Sequence, residues 1–198
     1  MVGDRWTLLI TRELMIRGAC RYSDLRKGLP GIATNLLAER LRHLEAAGVV
    51  RRAYAPPPVA TDLFSLTERG QALEPALLLL GIWGAPLLAQ VRPEEVFQPH
   101  WMVPPLRMLL RRGGRPALIA ILCDGEAIAI EADGRKVEVR LKALAAPATM
   151  ITGPTRAIFA LLTARAPLEA AERMGVAISG DRDALVDLLP SPTASVHP

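Results

Sequence analysis

Cysteine is almost missing from this chain. Cys20 and Cys123 are the only two in 198 residues. A pair so far apart provides no disulfide framework, and reduced thiols in the cytoplasm are expected. Histidine is nearly as scarce. His43, His100 and His197 are scattered, and no Cys/His pair has metal-ligand spacing, so neither a metal nor any other cofactor is expected. The uncharged, apolar run Ala76–Gln90 is too short to cross a bilayer. The opening MVGDRW has neither the basic start nor the apolar run of a signal peptide. No membrane partner is therefore expected. Catalytic groupings are missing as well: no serine or threonine stands in a known motif with an activating histidine. Asp124 and Asp133 fall in Asp-Gly turn dipeptides, where their role is conformational. An enzyme is not expected.

What the chain has is apolar residues and an uneven charge. Half of it is hydrophobic, enough for one or two folded domains. The net charge of +4 is not spread evenly. Residues 1–54 hold ten Lys/Arg against five Asp/Glu, and the remaining 144 hold fourteen against fifteen. The positive excess is confined to one segment, and a phosphate backbone is its natural partner.

That segment is organised around Gly31–Gly48. Leu37, Leu41 and Leu44 form a stripe at helical spacing, with Asn35, Ala38, Glu39 and Arg42 opposite. Gly48 suits a left-handed C-terminal cap. A short helix over Ser23–Lys27, with Ser23 as its N-cap, precedes a tight turn, Gly28–Gly31. This is helix-turn-helix spacing, in which the second helix enters the major groove of DNA. A helix over Asp4–Arg17, capped by Asp4, comes before the pair. Val49–Tyr54 and Asp62–Leu66 follow as two strands, joined by a protruding, extended tip at Pro56-Pro57-Pro58. A helix opening at Thr67 is expected to run on through Leu77–Leu88. It is apolar all round and must be covered, in part by a second subunit.

The runs VGDRWTLLITREL, YSDLRKGLPGIATNLLAERLRHLEAAGVV and LTERGQAL closely resemble the HxlR-type winged helix-turn-helix regulators, a MarR-like branch. The resemblance covers about residues 2–90. It implies a homodimer on palindromic double-stranded operator DNA, with Thr34, Asn35, Ala38, Glu39 and Arg42 facing the groove. Family members usually carry a further amino-terminal stretch, often with a sensor cysteine. This chain begins at Met1-Val2, so that stretch is missing or the start codon was assigned late; Cys20 is not at the sensor position, so thiol sensing does not transfer. Asn35 and Arg42 suit base edges by amide-to-adenine and guanidinium-to-guanine pairing. Glu39 either accepts from a cytosine amine or braces Arg42 by an ion pair, and the brace is favoured. Arg21 and Ser23 before the second helix, and Arg51 and Arg52 at the base of the wing, complete the DNA-contact set. The blander role for one of Arg51 and Arg52 is an ion pair with Glu45 or Asp62.

Residues 91–100, with Pro93 and Pro99, are read as a linker. Beyond it WMVPPLRMLLRR gives a helix, and three strands follow at Ala117–Cys123, Glu126–Ala132 and Arg135–Lys142. Two-residue turns at Asp124-Gly125 and Asp133-Gly134 separate them. The first strand is apolar throughout, so both its faces are expected to be covered. Thr149–Thr152, a helix over Ala157–Ala164 behind Pro154, a helix between Pro167 and Gly175, a strand at Val176–Ile178 and a helix at Asp183–Leu189 capped by Asp181 complete the expected elements. Residues 191–198 are read as a disordered tail. The run ATMITGPTRAIFALLTARAPLEAAERMGVAISGDRDALVDLL resembles the sterol-carrier-protein-2-like domain in its short bacterial form. This implies a curved, mainly antiparallel sheet with helices on one face and an apolar cavity. The candidate lining residues are Trp101, Met102, Met108, Ile119, Ile121, Ile128, Ile130, Met150, Ile158, Phe159, Leu162 and Met174.

The expected architecture is α+β in two domains: a winged unit over 1–90 and a sterol-carrier-like unit over 101–190. The expected function is a dimeric transcription regulator, most simply a repressor, whose second domain takes a small apolar effector. The competing reading is a lipid carrier or accessory protein in which the winged unit only dimerises.

Overall fold

The computed structural model describes residues 4–84 and 96–191. The chain divides into two compact units, residues 1–80 and 81–198.

In the first unit, α1 spans Arg5–Arg17. Asp4 caps it, its Oδ1 accepting from the Trp6 and Thr7 amides at 2.9 and 3.2 Å. A two-residue strand β1, Cys20–Arg21, leads into α2, Tyr22–Gly28. Ser23 is not the cap of α2. The helix begins one residue earlier, and Asp24 Oδ2 accepts from the Arg21 amide at 3.1 Å. The longer-reaching carboxylate three residues in closes the first turn from inside. α3 spans Thr34–Ala46 with Leu37, Leu41 and Leu44 buried, as the leucine stripe predicts. It ends at Gly48, whose φ of +67° is the left-handed conformation, and the Val49 amide reaches back to Leu44 O at 2.9 Å.

β2, Val50–Ala55, pairs antiparallel with β3, Thr61–Leu66, and β3 also pairs with β1 to give the order β1-β3-β2. The wing tip is exposed but not extended. The Val59 and Ala60 amides both donate to Pro56 O, folding Pro56–Ala60 into a turn. The only amides in that loop close onto the carbonyl ahead of the two remaining prolines. A core of Ile10, Leu14, Leu25, Leu29, the α3 leucines, Val49, Val50, Phe64 and Leu66 ties the three helices to the sheet.

The expected single helix after Thr67 is two. Thr67 caps α4, Glu68–Gln71, accepting from the Gly70 amide at 3.1 Å, and α5 restarts over Glu74–Gly84. Pro75 is the physical reason, because it has no amide to donate to Gln71 one turn back. Gly70 is held closely: a Cβ there would lie 2.2 Å from Val49 O. The stretch Ala85–Leu88 of the expected helix lies outside the described residues, as do the Met1-Val2 start and residues 91–95 of the expected linker.

In the second unit a 3-10 turn, Pro99–Met102, precedes α6, Val103–Leu109. Pro99 and His100 therefore do not act as linker. His100 is buried, and its amide and Nδ1 both contact Glu126 Oε2, at 2.9 and 3.0 Å. Five strands follow: β4 (Ala117–Cys123), β5 (Glu126–Ala132), β6 (Val137–Leu141), β7 (Thr149–Thr152) and β8 (Ala177–Gly180). Their order is β6-β5-β4-β7-β8, with β4 and β7 parallel and the other neighbours antiparallel. Three helices complete the unit: α7 (Thr155–Leu162), α8 (Leu168–Arg173) and α9 (Arg182–Leu188). Asp181 caps α9 as expected, accepting from the Ala184 amide at 3.0 Å.

The first hairpin turns at Asp124-Gly125, both at positive φ. The second does not turn at two residues. Asp133 Oδ1 takes the Arg135 and Lys136 amides at 2.8 and 2.7 Å, so the connection widens to four residues and β6 starts only at Val137. The strand at Val176–Ile178 is shifted to Ala177–Gly180. β4 is not covered on both faces. Ile119 and Ile121 are fully buried on one side, and on the other Leu118 and Leu122 are exposed. The helical residues Leu106, Ile158, Leu161 and Leu185 are buried as well. The tail 192–198, including most of the stretch read as disordered, lies outside the described residues.

Candidate nucleic-acid interface

The surface of α3 follows from its buried stripe. With three leucines facing inward, Thr34, Asn35, Glu39 and Arg42 are exposed and Ala38 is half-buried among them. Arg42 lies along the helix, its Nε donating to Ala38 O at 3.4 Å. No side chain caps the amino end of α3, whose N-cap is Ala33. Glu39 does not brace Arg42. Its carboxylate faces Arg40 at 3.5 Å and His43, four residues along on the same helix face, at 3.9 Å.

Two anchors that the sequence reading missed hold α3 in place. Tyr22 OH donates to Thr34 O at 2.7 Å, fixing the start of α3 to α2. Arg40 reaches Asp4 Oδ2 at 3.4 Å while the other oxygen of Asp4 caps α1, so one carboxylate serves both helices. The available signal was the aromatic immediately ahead of Ser23. Arg40 had none, since its partner lies thirty-six residues away.

The remaining candidates separate. Arg21 is exposed and donates to Val59 O at 3.3 Å, linking the start of α2 to the wing tip. Ser23 is exposed in the first turn of α2. Arg52 pairs with Asp62, the blander role foreseen for one of the two arginines, and its guanidinium lies 5.8 Å from the Phe64 ring. Arg51 is on the other face of the sheet. Register pairs Arg51 with Ser65 and Arg52 with Phe64, so the two arginines point to opposite sides, and Arg51 Nε donates to Ser65 Oγ at 3.0 Å. Arg51 is therefore not part of the surface that carries Arg52.

Cys20 is buried beside this region. Burial, reinforced by Asp24, pushes its thiol up to about 12 against the pull of Arg17. It stays protonated at neutral pH and is a poor nucleophile. Burial also raises Cys123.

In the second unit the candidate ligand residues fall into three groups. Met102, Ile119, Ile121, Ile128, Ile130, Ile158 and Leu162 are fully buried core. Met108 and Met174 are exposed, and Met150 alternates onto the sheet face opposite Ile119 and Ile121. Only Trp101 and Phe159 are half-buried on the helical side. Phe97 brings them together, with ring centroids 6.2 Å from Trp101 and 5.3 Å from Phe159. Among the described residues there is no group of three or more His, Cys, Asp or Glu able to hold a metal, and no helix is long and apolar enough to cross a membrane.

Three helices, the last of them polar on its outer face, followed by a two-stranded wing, define a winged helix-turn-helix. The HxlR-like helix-turn-helix family profile matches residues 1–92. The HTH-type transcriptional regulator YvaP of Bacillus subtilis is 36% identical over 83 residues, covering 42% of this chain and 76% of its own length. YkvN of the same organism is 36% identical over 104 residues, covering 50% and 86%. Mb3122 of Mycobacterium bovis is 35% identical over 130 residues, covering 64% and 74%. The reduced form of the B. subtilis transcriptional regulator YodB is a similar solved structure, with TM-score 0.40, 31% identity, and coverage of 46% of this chain and 88% of that one. The chain belongs to the HxlR-like helix-turn-helix family.

Proposed function

We propose that the protein is a homodimeric transcription regulator that binds palindromic double-stranded operator DNA through α3. The observation that carries this is the seating of α3: three buried leucines and two anchors, Tyr22 and Arg40, hold its Asn35 and Arg42 face outward. In this reading Asn35 and Arg42 contact base edges, with Thr34 and Ala38 beside them. The uncapped amino end of α3 suits a phosphate. Arg52, Ser23 and Arg21 meet the backbone, and Arg21 also steadies the wing.

Dimerisation is assigned to α5. None of its residues is buried, and Leu79, Leu80 and Trp83 are 62, 51 and 76% exposed. A helix this apolar stays soluble when a second copy covers it. The second unit is read as a sterol-carrier-like module for a small apolar effector, a reading supported by its mainly antiparallel five-stranded sheet and the buried apolar side chains of its helices. Contact with that effector falls to Trp101 and Phe159, since most of the other candidates are packed as core. A lipid carrier without DNA binding fits poorly with a positive excess confined to residues 1–54.

The test is selection of bound duplexes from a random pool by the full chain. The expected product is a two-fold-symmetric consensus; recovery of no consensus would contradict the reading.

A further inference from the structure

The back of the wing holds a hollow that none of these roles uses. It lies within the first unit, opens to solvent, has a volume of about 380 Å³, and has Leu14, Met15 and Leu66 as its apolar lining. Arg51, Ser65, Gln71 and Glu74 supply the polar lining, with Gly18 and Ala19 beside them.

The key group is Arg51. Its Nε is tied to Ser65 Oγ at 3.0 Å, which orients the guanidinium. Among the described residues no carboxylate pairs with it, whereas its neighbour Arg52 is neutralised by Asp62. A guanidinium fixed at Nε still offers two terminal amino groups, the fork that binds a carboxylate with two parallel hydrogen bonds. The apolar side chains opposite it suit a hydrocarbon body. Pockets for small ligands run from roughly 300 to 1,000 Å³, so this one admits a single ring or a short chain but not a lipid. Glu74, which also lines the hollow, has interactions of its own. An inorganic phosphate would leave the apolar lining uncovered, so a guest with one charged end and a hydrocarbon body fits best.

We infer that this hollow is a binding site for a small organic monocarboxylate, held by Arg51 with Gln71 and Ser65 and packed on Leu14, Met15 and Leu66. Its ligand differs in charge from the apolar effector assigned to the second unit, and Arg51 serves this site instead of DNA.

The experiment titrates the isotopically labelled full chain, without DNA, with phenylacetate, then with its uncharged counterpart phenethyl alcohol and with inorganic phosphate. Calorimetry supplies the affinities. The expected result is saturable, one-to-one phenylacetate binding that shifts the Gly18, Ala19 and Gln71 amides. The alcohol and phosphate should bind at least tenfold more weakly, in keeping with the worth of a charged hydrogen-bonded pair. Arg51→Met should weaken phenylacetate roughly tenfold or more. Met15→Trp, which fills the hollow and keeps the guanidinium, should abolish binding. The proposal is overturned if phenylacetate gives no saturable shifts, if the shifts fall only in the second unit, if phosphate binds as tightly, or if Arg51→Met binds like the parent chain. Because no DNA is present, failure here would not count against the operator reading.

Discussion

Two helices of this protein handle apolar residues in opposite ways. α3 hides Leu37, Leu41 and Leu44 completely and shows a polar surface. α5 hides nothing fully and shows Leu79, Leu80 and Trp83. The difference indicates what each surface is built to meet. A polar face on a rigidly seated helix loses little by contact with a hydrated groove, because its donors and acceptors exchange water for base edges. An apolar face gains only by leaving water, and it does so best against another apolar face.

The sharpest way to break the comparison is to move an apolar side chain out of each helix. Leu41→Ala should cost the chain about 2–5 kcal/mol of stability, the usual penalty for a buried leucine, read by denaturant unfolding. Trp83→Ser combined with Leu79→Ser should leave secondary structure intact and shift sedimentation from dimer to monomer. If the single change and the double change unfold the chain equally, the contrast between the helices is false.

Smaller effects test the polar face. Arg42→Ala should lose about 1–3 kcal/mol on the selected operator and relax preference at one base position, measured by fluorescence anisotropy across operator variants. Arg52→Ala should weaken all sequences alike and reduce the salt slope by about one, because a phosphate contact carries no sequence information. Arg40→Ala touches no DNA in this account. It should lower operator affinity less than Arg42→Ala and loosen the amino end of α1, seen as faster amide exchange near Asp4.

The mildest prediction concerns Cys20. With its thiol raised to about 12 from an ordinary 9.0, the native chain should resist alkylation at pH 8. The folded state holds this proton more tightly than the unfolded one. The associated stability is complete below pH 9 and declines as pH rises from 9 towards 12, a slope that Cys20→Ser should reduce, leaving the part due to Cys123.

Much of the fold was legible because its signals are local. The leucine stripe, the Asp4 and Asp181 caps, Gly48 and the Asp124-Gly125 turn each depend on residues within one or two turns, and each stands where expected. The errors came from partners distant in sequence or from competing local bonds. Pro75 broke a helix that hydropathy alone would continue. Asp133 widened a turn by taking two amides. β4 is apolar on both sides, yet Leu118 and Leu122 on one side stay exposed while Ile119 and Ile121 on the other are buried, and composition cannot say which side is which. In the candidate interface, the outward face of α3 could be read from period alone. That Arg51 and Arg52 oppose each other follows from strand alternation, but the different uses of the two sides depend on where Asp62, Ser65 and Gln71 fold.

The most direct test of the base-reading role of α3 pairs a protein change with a DNA change. Guanines in the selected operator are replaced one at a time by 7-deazaguanine, which removes the major-groove N7 acceptor, and binding is measured for the parent chain and Arg42→Ala. The account predicts one position in each half-site where the replacement weakens the parent chain but costs Arg42→Ala nothing further. Equal losses for both proteins at every position would contradict it.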